Sequence, residues 1–354
     1  MASFSRVRIV GSGLIGTSIG LGLVQRGFMV EMSDSRASNS DLAQSLIASQ
    51  PLTSPAELTI IAVPTQATYE VLIAEYEANP KSTFMDVNGI KSDLINKVEE
   101  FSALAMQFCG SHPMAGREIS GVESAQADLF EGRAWILTPT STISRASLEI
   151  ANELVAALKA TAYVIGAEEH DLAMAAISQL PQLVSSALGA TIFDQPEIAL
   201  NLAGAGLRDT SRLASSSGEL WSALLIANRS HLLPILARFQ ESVASLAEAI
   251  NRQDDLTIKG LFERASLGRA RISGKHGARV RDYTYLPIVI DDRPGQLGAL
   301  FAECALAQVN VEDLTIEHSP GQQTGLITLA LSAVDAEKLR THLKAKGWSA
   351  HAPK

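Results

Sequence analysis

Cysteine is nearly missing from this chain. Cys109 and Cys304 are its two cysteines in 354 residues, too few for a disulfide framework or a zinc-ligand spacing, which suits a reducing cytoplasm. Basic charge is short as well. The net charge is −9, whereas a nucleic-acid binder carries a basic footprint, so functional contacts should be with small molecules held in clefts. Long apolar runs are also lacking. No stretch approaches the roughly 20 uninterrupted apolar residues of a membrane span. The first apolar run follows Arg6 and Arg8 and is broken by glycines, unlike a signal peptide. With 46% hydrophobic and 19% charged residues, the composition is that of an ordinary folded protein. The expectation is a cytoplasmic protein without membrane, nucleic-acid or metal partners.

The length allows two or three domains. The first third alternates short apolar strands with helical segments, as a doubly wound sheet does. Strands are predicted over residues 7–10, 28–32, 58–63, 82–87, 104–109, 134–137 and 162–165, and helices over 14–25 and 145–159. Past Gly166 the texture changes. Residues 168–253 are rich in Ala, Leu and Ser at helical spacing, suited to close packing within one subunit or against a second. Residues 259–281 hold seven Lys/Arg against one Glu, read as a solvated terminal helix and linker rather than an anion site. Strands at 285–290, 309–316 and 325–331, with helices at 297–307 and 336–346, form a closing β-α-β-β-α module. The fold class is therefore an α/β Rossmann domain over 1–166, an all-helical domain over 167–282 and a small α+β, ferredoxin-like domain over 283–354.

The run Gly11-Ser12-Gly13-Leu14-Ile15-Gly16 follows the first strand and opens the first helix, the context a dinucleotide fingerprint requires. Gly11 permits the tight turn, Gly13 lets the backbone approach a pyrophosphate, and Gly16 allows close helix–strand packing. The helix N-terminus then offers free N–H groups to the anion. Asp34, just past the second strand, stands where an acid bonds the adenosine ribose hydroxyls and repels the extra phosphate of NADP. That favours NAD, although Ser33, Ser35 and Arg36 beside it could receive the phosphate of NADP.

Downstream, Gly110-Ser111-His112-Pro113-Met114-Ala115-Gly116 sets one histidine in a Gly/Pro-bounded loop after the fifth predicted strand. Ligands in open parallel sheets sit at such loops. A histidine facing a nicotinamide ring can take a proton from a hydroxyl while the cofactor takes a hydride. On position alone, a structural histidine is the commoner outcome. Cys109 beside it reads as a small buried strand residue rather than half of a nucleophilic pair.

With these runs, the chain resembles the prephenate/arogenate dehydrogenase family along nearly its whole length. The Gly-Ser-His-Pro-Met-Ala-Gly run is the most specific match. Glu118, Gly121, Phe130, His170-Asp171, Arg208-Asp209-Thr210-Ser211-Arg212, Trp221 and Asn228 match as well. The C-terminal module is similar to an ACT domain through Asp292-Arg293-Pro294-Gly295 and Val309-Asn310-Val311. The resemblance implies an NAD-dependent oxidative decarboxylation of prephenate to 4-hydroxyphenylpyruvate, in tyrosine biosynthesis, or of arogenate to tyrosine. It implies His112 as the neutral acceptor of the ring hydroxyl's hydrogen bond and Arg212 as the carboxylate partner. It places Glu118, Asp171, Gln182, Arg208 and Trp221 about the substrate, and adds Val63, Pro64 and Asp86 to Gly11–Gly16 and Asp34 in binding NAD. A homodimer, with tyrosine or Phe as effector of the ACT module, completes the expectation.

Two positions depart from the family. Gly89, in Asp86-Val87-Asn88-Gly89-Ile90-Lys91, replaces a serine that would bridge substrate, histidine and nicotinamide. Gln182, in Ser178-Gln179-Leu180-Pro181-Gln182, replaces a histidine. Since Gln cannot become cationic, its presence tilts the choice toward arogenate. A β-hydroxyacid dehydrogenase would need a catalytic lysine in the helical domain, and no lysine lies between Glu168 and Lys259. A non-catalytic, amino-acid-sensing NAD-binding protein is the third reading, against which His112 and Arg212 stand.

Overall fold

The computed structural model describes residues 3–115, 121–272, 283–318 and 323–353. Glu118 and much of the basic linker lie outside the described residues. The chain divides into two compact units, Met1–Asp194 with Ser211–Phe239, and Gln195–Thr210 with Gln240–Lys354. The helical stretch after residue 166 is shared between them.

The first unit is built on a seven-stranded sheet: β1 (Arg6–Val10), β2 (Met29–Ser33), β3 (Leu58–Ile61), β4 (Thr83–Asp86), β5 (Phe108–Pro113), β6 (Ala134–Pro139) and β7 (Thr161–Val164). Their order is β2-β1-β3-β4-β5-β6-β7. The chain steps outward from β1 to β2 and returns to β3 on β1's other side. This reversal opens a crevice at the carboxyl ends of β1 and β3, where such sheets bind ligands. β3 and β4 are buried at every position, which explains their unbroken apolar runs. Helices α1 (Leu14–Val24), α2 (Ala37–Ile47), α3 (Thr65–Ala78), α4 (Ser92–Glu99), the short α5 (Ser102–Ala105) and α6 (Arg145–Ala157) connect the strands.

The fifth strand lies later in the chain than its apolar run predicts. Leu104 and Ala105 close α5, and β5 extends through His112 to Pro113. The reason is non-local. β5 pairs in parallel with β4 only at Phe108 and Cys109, then continues along antiparallel β6, with His112 opposite Ile136. The histidine is therefore held on a strand and not in a loop.

Behind the sheet, α7 (Ala167–Met174), a π turn over Ala175–Gln179 and α8 (Leu180–Ile192) form one continuous rod. It is long and apolar enough to cross a membrane, but it carries His170, Asp171, Gln179 and Gln182, all buried. π segments often accompany functional sites. After α9 (Glu197–Asn201) and α10 (Ala205–Ser211), a 3₁₀ turn over Arg212–Ser215 precedes α11 (Gly218–Ala227), which Ser217 caps. Two further helices follow, α12 (Arg229–Asn251) and α13 (Asp255–Ala270).

In the second unit, β8 (Thr284–Asp291), α14 (Gln296–Leu306), β9 (Asp313–His318), β10 (Thr324–Leu331), α15 (Ala333–Ala345) and β11 (Ser349–Ala350) form a sheet of order β11-β8-β10-β9. All its pairings are antiparallel. Leu286, Ile288 and Ile290 alternate inward from β8 onto Leu300, Leu339 and Leu343 of the two helices. The two-residue β11, which the sequence pattern missed, completes β-α-β-β-α-β.

Candidate active site

The glycine-rich turn has the shape its sequence requires. Gly11 sits at φ +109°, and a Cβ there would stand 2.3 Å from the Ala62 carbonyl oxygen. A Cβ on Gly16 would meet the Gly11 carbonyl oxygen at 2.0 Å. Gly13 differs. It is exposed, nothing lies within 4 Å of its Cβ position, and it starts α1 without a side-chain cap or an acidic residue in the first turn. An uncapped helix start behind an open glycine is a cradle for an anion. The Ser12 hydroxyl is buried without a hydrogen-bond partner, and Leu14 and Ile15 form the helix's first turn. Asp34 closes the loop, accepting from Ser12 N at 2.8 Å and Arg36 N at 2.9 Å. Val63 and Pro64 follow β3 at the same crevice, with Val63 N 3.1 Å from the Gly11 Cβ position. These residues fit a dinucleotide.

Asp86, expected beside them, is fully buried and serves the fold. It pairs with the equally buried Lys91, and it accepts from Ser111 N and Asn88 N, each at 3.0 Å. Lys91 Nζ also donates to the Ser111 carbonyl oxygen at 2.7 Å. A buried carboxylate keeps its charge only when paired in this way, which leaves none of it for a cofactor. Burial pulls the Lys91 pKa down, and Asp86 opposes that pull. The pair staples β4 to β5 one residue before His112. Sequence reasoning missed Lys91 although it lies within the run containing Gly89.

His112 Nδ1 lies 2.9 Å from His170 Nε2, and His170 Nδ1 lies 2.8 Å from Asp171 Oδ1. His112's other nitrogen faces Gly89. A Cβ on that glycine would stand 3.6 Å from Nε2 and 3.5 Å from Leu224 of α11. Trp221, half-buried, is one turn from Leu224 on the same helix face. Burial, with His170 and Lys91 beside it, holds the His112 pKa down at about 3. The ring is therefore neutral and can accept a hydrogen bond. Cys109 is no nucleophile: burial and then Asp86 push its pKa up to about 12.

Three residues expected around the substrate have hydrogen-bond partners within the protein. Asp171 is buried, and it accepts from Lys91 N and Ser92 N at 2.8 Å each, besides facing His170. Burial alone would raise its pKa, but these hydrogen bonds outweigh burial and hold it low. Gln182 is also buried, and its amide donates to Ser186 Oγ and the Leu213 carbonyl while its oxygen accepts from Ser216. It clamps the 3₁₀ turn that carries the exposed Arg212. Arg208 is exposed and donates to the Ala203 carbonyl of its own loop. Another residue the sequence left without a role is Asn228, buried and donating to the Asp171 carbonyl and to Gln179 Oε1.

Fold and site together define a dinucleotide-dependent dehydrogenase with a histidine at its crevice. The prephenate dehydrogenase nucleotide-binding domain matches residues 29–164, and the prephenate dehydrogenase dimerisation domain matches 166–263. The chain belongs to the prephenate dehydrogenase family. It is 28% identical to a Streptomyces niveus protein described as a probable prephenate dehydrogenase, over 97% of this chain and 98% of that one. The Synechocystis arogenate dehydrogenase structure matches with a TM-score of 0.64 and 27% identity, over 75% of this chain and 98% of that one. The A. aeolicus prephenate dehydrogenase, in complex with hydroxyphenyl propionate and NAD+, shares the fold at a TM-score of 0.67 and 24% identity. That match covers 77% of this chain and 99% of the A. aeolicus one.

Proposed function

We propose that this protein is an NAD-dependent prephenate dehydrogenase. One observation carries the reading: a neutral His112 at the carboxyl end of β5, whose Nε2 stands against Gly89, a residue with no side chain. NAD, when bound, receives the hydride from the ring carbon that bears the hydroxyl. His112 Nε2 accepts that hydroxyl's hydrogen bond and takes its proton as the C–O bond gains double-bond character. Loss of CO2 from the opposite ring carbon then returns the electron pair to the ring. His112 gives the proton back to the oxygen, leaving a phenol. Arg212 pairs with a substrate carboxylate, for which a guanidinium fork is suited. NADH formation at 340 nm with prephenate and with arogenate tests the reading. Faster turnover of arogenate would move the chain to that substrate, and no turnover of either would remove the activity.

Arg212→Ala is expected to raise KM for prephenate with kcat little changed, at a cost on the order of 2–4 kcal/mol in kcat/KM. An unchanged KM would reduce Arg212 to a surface residue. Asp34→Ser is expected to narrow the preference for NAD over NADP, because the carboxylate that repels the extra phosphate is gone and Arg36 stands beside it. The ratio of kcat/KM values for the two cofactors reads this directly.

The C-terminal unit is an ACT domain that senses tyrosine, or Phe in second place, within a cytoplasmic homodimer. Its ferredoxin-like strand order supports this. So does Gly295, at φ +90°, which starts α14 without a side-chain cap, where an amino acid's carboxylate would sit. The exposed Leu256, Phe262 and Leu267 of α13 offer apolar surface for subunit contact. Gly295→Asp should leave kcat unchanged while weakening inhibition by tyrosine, through like-charge repulsion at the helix start. Equal inhibition of variant and wild type would place tyrosine at the catalytic centre instead.

A further inference from the structure

His112 Nε2, beside Gly89, can accept a hydroxyl's hydrogen bond only if that nitrogen carries no proton, and a neutral imidazole can hold its proton on either side. The surrounding groups decide which. Asp171 can only accept, and its oxygens are fixed by the backbone N–H groups of Lys91 and Ser92. His170 Nδ1, 2.8 Å from Asp171 Oδ1, must therefore be the protonated nitrogen of its ring. A ring whose one proton sits on Nδ1 presents a bare Nε2, and in that arrangement His170 accepts from His112 Nδ1 at 2.9 Å. With His112's single proton committed there, its Nε2 is left as the acceptor. The chain of polarity runs Asp171, His170, His112, and each step follows from the one before.

We propose that His170 is a positioning residue of the reaction: held by Asp171, it locks His112 in the tautomer whose Nε2 accepts the substrate hydroxyl. This rests on the dehydrogenase reading for its kinetic consequence but not for its geometry. His170 is wholly buried and the two rings meet edge-on, with centroids 5.1 Å apart, so it touches neither substrate nor solvent. Its influence passes through His112 alone. A proton misplaced onto Nε2 would turn the acceptor into a donor facing another donor. Groups that orient a metal-bound histidine typically contribute about 10–100-fold in metal affinity or activity, and an effect of about that order is expected of His170.

Two variants of the full chain separate polarity from packing. Gln at 170 can turn its amide NH2 toward Asp171 and its oxygen toward His112 Nδ1, reproducing both bonds, whereas Leu fills similar space and offers neither. His170→Leu should lower kcat about 10–100-fold, with KM for prephenate and Kd for NAD within about threefold of wild type. His170→Gln should recover at least about a tenth of the wild-type kcat and exceed Leu clearly. Nitrogen-15 NMR of the wild-type protein should find His112 Nδ1 protonated and Nε2 bare. Wild-type kcat in the Leu variant, or a Gln variant no better than Leu, would overturn the proposal. So would a proton on Nε2 in the wild type, a result that needs no variant to fold. If neither prephenate nor arogenate is turned over, the functional reading fails while the NMR result still judges the relay.

Discussion

Replacing His112 with asparagine is expected to lower kcat by roughly 10²–10⁴ while leaving NAD binding nearly unchanged. The amide keeps a polar group beside Gly89 but cannot take up a proton from a hydroxyl at neutral pH. Cofactor affinity should survive because the glycine-rich turn and Asp34 are held by their own contacts, on β1, β2 and β3. Single-turnover hydride transfer and a separate NAD titration check the two halves of the statement. A variant retaining more than half of the wild-type kcat would take His112 out of the chemistry. The same substitution has a signature in acid. His112 has an ordinary pKa of 6.5 when unfolded and about 3 when folded, so the unfolded chain binds the extra proton first. Stability tied to this group is complete above 6.5 and is lost as pH falls from there toward about 3. The asparagine variant should consequently lose stability less steeply over that window.

What could be read from the sequence follows from how local each cause is. Gly11 and Gly16 are demanded by a turn and a helix start within six residues of each other, so the fingerprint alone specifies them. β3 and β4 were legible because burial on both faces leaves continuous apolar runs. The strand position of His112 was not, because β5 outlasts its pairing with β4 and is carried on by β6, more than twenty residues later. Asp86, Asp171 and Gln182 were read as facing a ligand because the family resemblance puts them there. Their partners, Lys91 for Asp86, the Lys91 and Ser92 N–H groups for Asp171 and Leu213 for Gln182, lie on turns and neighbouring elements whose approach no periodicity encodes. Polar type and position announced that these residues matter. They did not say whether each faces the ligand or holds the residue that does.

Lys91→Met is the second large effect expected, and it joins stability to catalysis. The substitution leaves Asp86 fully buried with two backbone N–H donors and no countercharge. Breaking one side of a buried pair costs about 3–5 kcal/mol, because the remaining charge has no solvent to turn to. Urea unfolding should show a loss of that order with the denaturant slope unchanged. Adding Asp86→Asn removes the stranded charge, so the double variant should recover part of the loss. A single variant within about 1 kcal/mol of wild type would mean that water reaches Asp86 and the pair is not structural. Activity should fall further than stability explains. Lys91 Nζ holds the Ser111 carbonyl and Asp86 holds the Ser111 N–H, and Ser111 is the residue from which His112 projects. Releasing the carbonyl side of Ser111 lets the imidazole drift from its line with His170, and displacements of about 1 Å at a reacting group can cost 10²-fold. In the double variant, kcat should therefore stay low after much of the stability has returned.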